Sequence, residues 1–380
     1  MSEMNEPDVF VVADNVLSPL GKTTAENFSK LKDDNTGIKL HHNTNISTNP
    51  FYASLFNKDE RFINGEHIYS KFEQLLIASI GDALKNSGMD AADKKTVLIV
   101  STTKGNIGLL ETETFDEALK KRIALPASAK LVAHHFGFIN QPIIVSNACI
   151  SGVLGIITGM RLLRSGQYEN AVIVGADVIS KFIVSGFESF QALSPNPCRP
   201  FDQSRDGLNL GEGAATIILS TNKKHSKNIK VKGGAVSNDA NHISGPSRTG
   251  EELAHAIKNA MNDAVISAEE IDFISAHGTA TVYNDEMEAN AFTLSRLQNT
   301  PLNSLKGYYG HTLGAAGLIE SVISIQSLKE NLVLPTLGFK DNGVTNPLDV
   351  LASPLAVKAT NFLKTASGFG GCNAAVVFGR

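Results

Sequence analysis

One short stretch with the pattern strand, helix, strand constrains this chain more than any other feature. Residues 142–146 are apolar and β-branched, as in a buried strand, and residues 171–175 have the same character. Between them lies a turn of small residues around Cys149, followed by an apolar helix that we expect to end near Gly166. A strand, a crossover helix and a second strand at this spacing predict a βαβ unit, and hence a parallel sheet covered by helices on both faces.

Further strands and helices alternate along the chain, which predicts an α/β protein throughout. Residues 32–66 are polar and rich in Asn, His and Lys, so we expect loops there. The polar, basic segment 222–228 separates two α/β halves, and we predict domains at residues 1–222 and 229–380. The other predicted strands are 9–12, 96–101, 214–219, 229–236, 272–275 and 374–378, and the other predicted helices are 24–31, 72–86, 251–265, 285–297 and 315–331.

Composition narrows the class of protein. The chain has 380 residues, 42% of them hydrophobic, which is enough apolar material for two folding halves. The formal net charge of -4, with both signs mixed along the chain, does not point to nucleic acid or a membrane surface. Three widely spaced cysteines favour a reducing compartment over a disulfide framework. The acidic, polar start is unlike a signal peptide, and we expect a cytoplasmic protein.

Cys149 is the candidate nucleophile. A cysteine between a strand and a helix start faces unpaired backbone N–H groups and the positive end of the helix dipole, which we expect to stabilise a thiolate. The same N–H groups are suited to hold the oxyanion of a tetrahedral intermediate. Taken alone, an isolated cysteine is more often a buried structural residue. The remaining motifs decide between these interpretations.

Two histidines lie in glycine-containing turns. His277 follows a predicted strand, with Asp285 and Glu288 opening the helix after it, and His311 lies in a glycine-rich turn that we place at a strand–helix junction. The second turn lacks the spacings of dinucleotide and phosphate-binding loops. A zinc site at His277, Asp285 and Glu288 is a rival interpretation, but neither HExxH nor a Cys-rich spacing is present, and we expect no metal and no cofactor.

Short motifs over nearly the whole chain resemble one family when they are taken together and in order. They are LSPLG at 17–21, AC and SG within 148–152, RPFD and RDG within 199–207, GEGA at 211–214, HGT at 277–279 with Asn284, Asp285 and Glu288, Lys306 with GH at 310–311, and GFGG at 368–371 with Asn373. On these motifs the chain resembles the β-ketoacyl-acyl-carrier-protein synthases of the I/II type, within the thiolase-like condensing enzymes.

The resemblance implies a role for each matching residue. Cys149 would accept an acyl chain as a thioester, and His277 and His311 would stabilise the enolate formed when a malonyl group loses carbon dioxide. The backbone N–H groups of Cys149 and Phe369 would form the oxyanion hole, and Phe369 would also be the gate of the acyl pocket. Lys306 would pair with Glu288.

Asp285 would support the same polar shell. The resemblance further implies a five-layered α/β/α/β/α fold of two similar halves, usually a homodimer, and an acyl carrier protein as partner. Because carrier proteins are acidic, Arg205 and Lys71 are candidate docking residues. Two departures from the family pattern, Asn147 and Cys372, bear on pocket shape and gating.

Two alternatives to an elongating synthase stay open at this point. One is a non-catalytic partner subunit resembling a chain-length factor, although such subunits usually lack the nucleophile that is present here. The other is a degradative thiolase or a type III synthase, against which the motif from Lys306 to His311 speaks.

Overall fold

The computed structural model describes residues 6–58, 60–63, 68–225, 228–240 and 245–380. The strands are β1 (Val9–Leu17), β2 (Ile38–His41), β3 (Phe51–Ser54), β4 (Thr96–Ser101), β5 (Ile143–Val145), β6 (Asn170–Asp177), β7 (Leu210–Gly211), β8 (Gly213–Ser220), β9 (Lys230–Asn238), β10 (Phe273–Ser275), β11 (Leu302–Asn303), β12 (Leu332–Val333), β13 (Leu355–Ala356), β14 (Asn361–Gly368) and β15 (Cys372–Gly379). The α-helices are α1 (Thr24–Lys32), α2 (Lys71–Ser87), α3 (Glu117–Arg122), α4 (Leu125–Phe136), α5 (Ser151–Arg164), α6 (Lys181–Ser189), α7 (Glu251–Ala264), α8 (Val282–Leu294), α9 (Lys306–Tyr309) and α10 (Ala316–Glu330).

Ten strands form one sheet that consists of two halves with the same topology. The order is β11-β10-β14-β15-β9-β1-β8-β6-β4-β5. In the first half β4 pairs in parallel with β5 and β6, and β8 pairs antiparallel with β6 and β1. In the second half β10 pairs in parallel with β11 and β14, and β15 pairs antiparallel with β14 and β9. A short antiparallel pairing of β1 with β9 joins the two halves.

Helices complete a five-layered arrangement. α5 and α10 contact each other and strands of both halves, so they form the middle layer around which the sheet is folded. α2 packs on the outer side of the first half and α7 on the outer side of the second. α10 is buried around almost its whole circumference, as expected for a helix enclosed between two sheets. The fold class expected from the resemblance is therefore confirmed.

Close contact within the middle layer depends on a glycine. A Cβ atom at Gly152, in the first turn of α5, would lie 2.7 Å from the backbone nitrogen of Leu318 on α10. Any larger side chain would push the two helices apart. The sequence therefore brings the start of α5, next to Cys149, against the start of α10.

Most of the predicted elements are present, with some corrections. α5 does join two strands of a parallel arrangement, but β4 lies between β5 and β6. The prediction of loops across 32–66 is wrong in part, because β2 and β3 form a small sheet with β7. The helix predicted at 285–297 begins three residues earlier, at Val282. Residues 59 and 64–66 of the predicted loop region, and residues 226–227 of the predicted boundary segment, lie outside the described residues.

The boundary at 222–228 falls between β8 of the first half-sheet and β9 of the second, and as a domain boundary it stays a prediction. Within the part of the chain that the structure describes, no helix is both long and apolar enough to cross a membrane.

Candidate active site

A tight, strained turn presents Cys149 at the base of a cavity of about 560 Å³. Ala148 has a positive φ of 43°, a conformation that non-glycine residues adopt only when their surroundings enforce it. The hydroxyl of Ser151 supports this turn by accepting from the N–H of Asn147 at 2.8 Å and donating to the carbonyl of Ala148 at 2.7 Å. Cys149 thus lies two residues before the first helical residue of α5, as predicted.

The thiol of Cys149 is deeply enclosed, with 8% of the residue exposed. Burial, and next to it the neighbouring Cys372, raises its pKa to about 12. This differs from the expectation of a stabilised thiolate, because loss of contact with water outweighs favourable charges such as that of Lys306. The resting group is therefore a thiol that needs a base to react.

His311 is placed to be that base. Its Nε2 lies 3.0 Å from the sulfur of Cys149. Burial, followed by the charges of Lys306 and Lys364, holds the pKa of His311 well below its usual range, so the imidazole is neutral and able to accept a proton. His311 follows the short helix α9 and precedes a 3-10 turn, so the predicted strand–helix junction is wrong at this point.

His277 faces the same space from β10. Its ring lies 5.3 Å from that of His311, centroid to centroid, at an interplanar angle of 84°. Its Nδ1 is 3.3 Å from the ammonium of Lys306. An ammonium can only donate, so Nδ1 is the acceptor and the ring carries its proton on Nε2. The pKa of His277 is also well below its usual range, mainly because of burial.

Cys149 therefore shares one cavity with both imidazoles. Cys149, His277 and His311 all line it, although the cysteine comes from the first half of the chain and the histidines from the second. They meet because β10, α5 and α10 converge at the middle layer. A buried nucleophile, a neutral base in contact with it and a second neutral donor nearby are suited to covalent acyl transfer.

Two carboxylates of α8 hold the backbone that follows β10. Glu288 accepts from the N–H groups of His277 at 2.8 Å and Gly278 at 2.6 Å. Asp285 accepts from the N–H of Thr279 at 2.9 Å. Asp285 also accepts from the N–H of residue 201 at 2.8 Å. Since these oxygens are committed to backbone N–H groups, they orient the His277 loop and are poorly placed to bind zinc.

The predicted pairing of Lys306 with Glu288 is wrong. The ammonium of Lys306 lies 2.7 Å from Oε1 of Glu320, on α10, and also donates to the carbonyl of His277. The other oxygen of Glu320 lies 2.6 Å from the ammonium of Lys364 on β14. The sequence analysis missed Glu320 and Lys364. The available signal was a charged residue inside an element that is otherwise apolar and buried.

The loop after β14 brings Phe369 to the cavity. A Cβ atom at Gly368 would lie 2.9 Å from the backbone nitrogen of Cys149, so this loop meets the nucleophile turn closely. The ring of Phe369 stacks on Phe187, with centroids 5.7 Å apart, and meets Phe190 edge-on at 5.2 Å. The thiol of Cys372 contacts the carbonyl of Phe369 at 3.4 Å. Phe369 thus lines the same cavity as Cys149, and its roles as a gate and in an oxyanion hole stay predictions.

Asp177 is a further residue that the sequence analysis missed. At the end of β6 it accepts from the hydroxyl of Thr102 at 2.8 Å and the N–H of Gly314 at 2.7 Å. These bonds tie the end of the first half-sheet to the turn that carries His311. Burial raises the pKa of Asp177 to about 6.

The two candidate docking residues differ from expectation. Arg205 is buried, with 4% of its side chain exposed, and it contacts Asp285 at 3.8 Å and Glu286 at 3.4 Å. The prediction that Arg205 docks a carrier protein is therefore wrong for this conformation, because its guanidinium is enclosed and paired. Lys71 is more exposed, but its ammonium lies 2.6 Å from the buried carboxylate of Glu212. Its docking role stays a prediction.

Comparisons with known proteins identify the family of this chain. Family models match residues 6–225, described as beta-ketoacyl synthase, N-terminal domain, and residues 229–340, described as the C-terminal domain. A 3-oxoacyl-[acyl-carrier-protein] synthase 2 of Staphylococcus aureus is 29% identical over 97% of both chains. A solved structure described as the ishigamide ketosynthase/chain length factor has a TM-score of 0.91 and 27% identity, covering 98% of this chain and 99% of its own. A ketosynthase in complex with its chain length factor from Xenorhabdus doucetiae has a TM-score of 0.87 at 24% identity, covering 100% and 99%, and supports the fold alone.

Proposed function

The chain belongs to the β-ketoacyl synthase family of condensing enzymes, and on that premise we propose that it is a catalytically competent 3-oxoacyl-[acyl-carrier-protein] synthase. It would join a malonyl group on carrier protein to an acyl group held on Cys149, in fatty-acid, polyketide or polyene-type chain elongation. The observation that carries this proposal is the contact of 3.0 Å between the Cys149 sulfur and Nε2 of a neutral His311.

The first half-reaction loads the acyl chain. Nε2 of His311 accepts the thiol proton as the Cys149 sulfur attacks the thioester carbonyl of the acyl-carrier protein. Collapse of the tetrahedral intermediate breaks the bond to the phosphopantetheine sulfur, and His311 returns the proton to that leaving thiolate. The enzyme ends as an acyl thioester with neutral imidazoles, and the two steps account for ping-pong kinetics.

The second half-reaction forms the carbon–carbon bond. When the malonyl carboxylate leaves as carbon dioxide, its electron pair moves onto the thioester oxygen. The enolate is stabilised there by Nε2–H of His277 and by Nε2–H of His311, whose neutral ring carries its proton on Nε2 in this step and on Nδ1 in the loading step. The enolate carbon attacks the acyl carbonyl on Cys149, with the backbone N–H groups of Cys149 and Phe369 proposed to hold the oxyanion. Loss of the Cys149 thiolate yields the 3-oxoacyl product, and one proton from solvent, delivered through His311, restores the thiol.

Partners belong to the same proposal. We propose an acyl carrier protein as the donor of both groups, in line with the described activity of the Staphylococcus aureus relative. β5 ends the ten-stranded sheet, and an unpaired strand edge is normally covered or paired. We propose that this edge is covered in a dimer, either of two identical chains or with a chain length factor as in the two solved relatives. The mass of the purified chain in solution, alone and with a co-expressed neighbour, distinguishes these cases.

A non-catalytic partner subunit is the second candidate, because the solved relatives include chain length factors. The nucleophile and base of a synthase are both present in this chain, which favours the catalytic role. Labelling by cerulenin, a cysteine-directed inhibitor, discriminates the two: a synthase should be labelled at Cys149, and a non-catalytic subunit should not.

The main test is incubation with a panel of acyl-carrier proteins and malonyl-carrier protein. We expect an acyl mass on the Cys149 peptide, release of carbon dioxide and a 3-oxoacyl product. The variant Cys149→Ala should lose the added mass, whereas His134→Ala, which alters an exposed histidine of α4, should retain it. Absence of both acylation and product with every chain length would contradict the proposal.

A further inference from the structure

Two buried lysines, Lys306 and Lys364, contact the backbone between the end of β10 and His277. Lys364 lies opposite Ser275 in the parallel pairing of β14 with β10. Its ammonium donates to the carbonyls of Ser275 and Ala276, each at 3.1 Å. Lys306 donates to the carbonyl of His277. The backbone carbonyls of the three successive residues 275, 276 and 277 therefore accept hydrogen bonds from two lysine side chains.

The contacts of Lys364 favour its charged form. Its nitrogen donates to two carbonyls and lies at an ion-pair distance of 2.6 Å from Oε2 of Glu320. Burial lowers the pKa of Lys364, and the carboxylate of Glu320 opposes that effect. The residue has no exposed surface, so water cannot take the place of any of these partners.

Charged groups of both signs surround the two imidazoles. Lys306 and Lys364 are opposed by Glu320 and Glu288, while Asp285 and Glu286 face Arg205. The other titratable groups that face this cluster are Cys149, Cys372, Asp177 and Lys104. Both lysines lower the pKa of His277 and of His311, after the larger effect of burial. Removing Lys364 would take one positive charge from this cluster.

Building on the proposed condensing activity, we propose that Lys364 is a positioning residue of the active site. Its ammonium clamps the end of β10 so that His277 faces the cavity, and its charge keeps His311 free to accept the proton of Cys149. Lys364 touches neither the nucleophile nor the substrate space, since it is not among the residues that line the cavity. It acts through the backbone of residues 275 and 276 and through its electric field.

The pH dependence of Cys149 reactivity tests this proposal. Acylation by acyl-carrier protein and alkylation by iodoacetamide are both followed by mass spectrometry of the Cys149 peptide. In Lys364→Met the loss of a positive charge raises the pKa of His311. The rising limb of reactivity against pH should therefore move to higher pH by about half to one pH unit in both profiles. Profiles identical to those of the unaltered protein would overturn the proposal.

A charge-restoring variant separates the field from a merely structural effect. Glu320→Gln removes a negative charge and should move the rising limb of the pH profile to lower pH. In K364M/E320Q one charge of each sign is gone, so the limb should return toward its original position. A double variant shifted as far as Lys364→Met alone would overturn the electrostatic role. Lys329→Met is the matched control. Lys329 lies on the same helix as Glu320, α10, and pairs with Asp14 of β1 near the surface. This variant should leave the pH profile unchanged.

The two readouts also distinguish this inference from the proposed function. Should the unaltered protein fail to accept any acyl group, the condensing activity fails, but the alkylation profiles still report on Lys364. If Lys364→Met does not accumulate as folded protein, the variants E320Q and K364M/E320Q can be compared instead. These two variants differ only in the ammonium group of Lys364. Equal profiles for those two variants would overturn the role of Lys364.

Discussion

The two halves of the sheet share one topology and differ in what they contribute at the middle layer. At the end of β4 in the first half, Ser101 lies opposite Gly175, which has no side chain. At the corresponding place in the second half, Ser275 lies opposite Lys364. The first half lets Leu318 and Ala315 approach its backbone closely at this place, whereas the second supplies buried charge. The comparison shows that one repeated backbone topology can bring a loop of each half together. The first half then contributes the cysteine, and the second contributes the histidines and the buried charged residues.

The largest expected effect removes the nucleophile that the first half contributes. Cys149→Ala should abolish acyl loading, because Cys149 is the only cysteine among the described residues that line the cavity. Malonyl-carrier protein should still lose carbon dioxide, since both imidazoles stay in place. Mass spectrometry and carbon dioxide release, measured in parallel, check this. Loading at another residue would show that the halves do not divide the chemistry in this way.

The histidines of the second half should separate into two kinetic classes. His311→Ala should slow acyl loading by about 10²–10⁴-fold, because it removes the base in contact with the thiol. His277→Ala should leave loading nearly unchanged and slow decarboxylation by about 10²–10³-fold, because it removes one enolate donor. Single-turnover measurements of each half-reaction check this split. Equal losses in both half-reactions for both variants would contradict the assignment.

The close contact between the first half and α10 can be tested through stability. Gly152→Ala places a Cβ atom 2.7 Å from the backbone nitrogen of Leu318, so it should destabilise the protein by about 1–3 kcal/mol. Gly186→Ala, in α6, meets no atom within 4 Å and should be neutral or slightly stabilising. Urea unfolding of the two variants provides the comparison. Equal midpoints would show that the contact between α5 and α10 is not tight.

The effect confined to the narrowest range of conditions concerns Asp177, a buried acidic residue of the first half. Burial raises its pKa from 3.8 to about 6, so between those values the folded state binds more protons than the unfolded state. Its contribution to the free energy of unfolding should therefore fall as pH rises from about 4 to about 6, by up to about 3 kcal/mol. The difference in unfolding free energy between the unaltered protein and Asp177→Asn should decrease over that window. A constant difference would contradict the shift.

Local elements were predictable because they depend on neighbours in sequence. The β4 strand at 96–101 and the helix that becomes α5 follow from apolar runs and a terminating glycine. The strands β2 and β3 were missed, since each has only four residues within a segment that is polar as a whole. They become a sheet only through pairing with each other and with the distant β7. Pairing of this kind leaves no periodic signal in a short segment.

The sequence by itself determined the α/β class, the position of Cys149 before a helix and the two histidine turns, because residue type and spacing carry that information. Only the tertiary structure decided that Lys306 pairs with Glu320, that Lys364 joins them and that Arg205 is enclosed. The physical reason is that a buried charge takes whichever partner the neighbouring strand or helix presents. That neighbour is set by the order of strands in the folded sheet and not by distance along the chain.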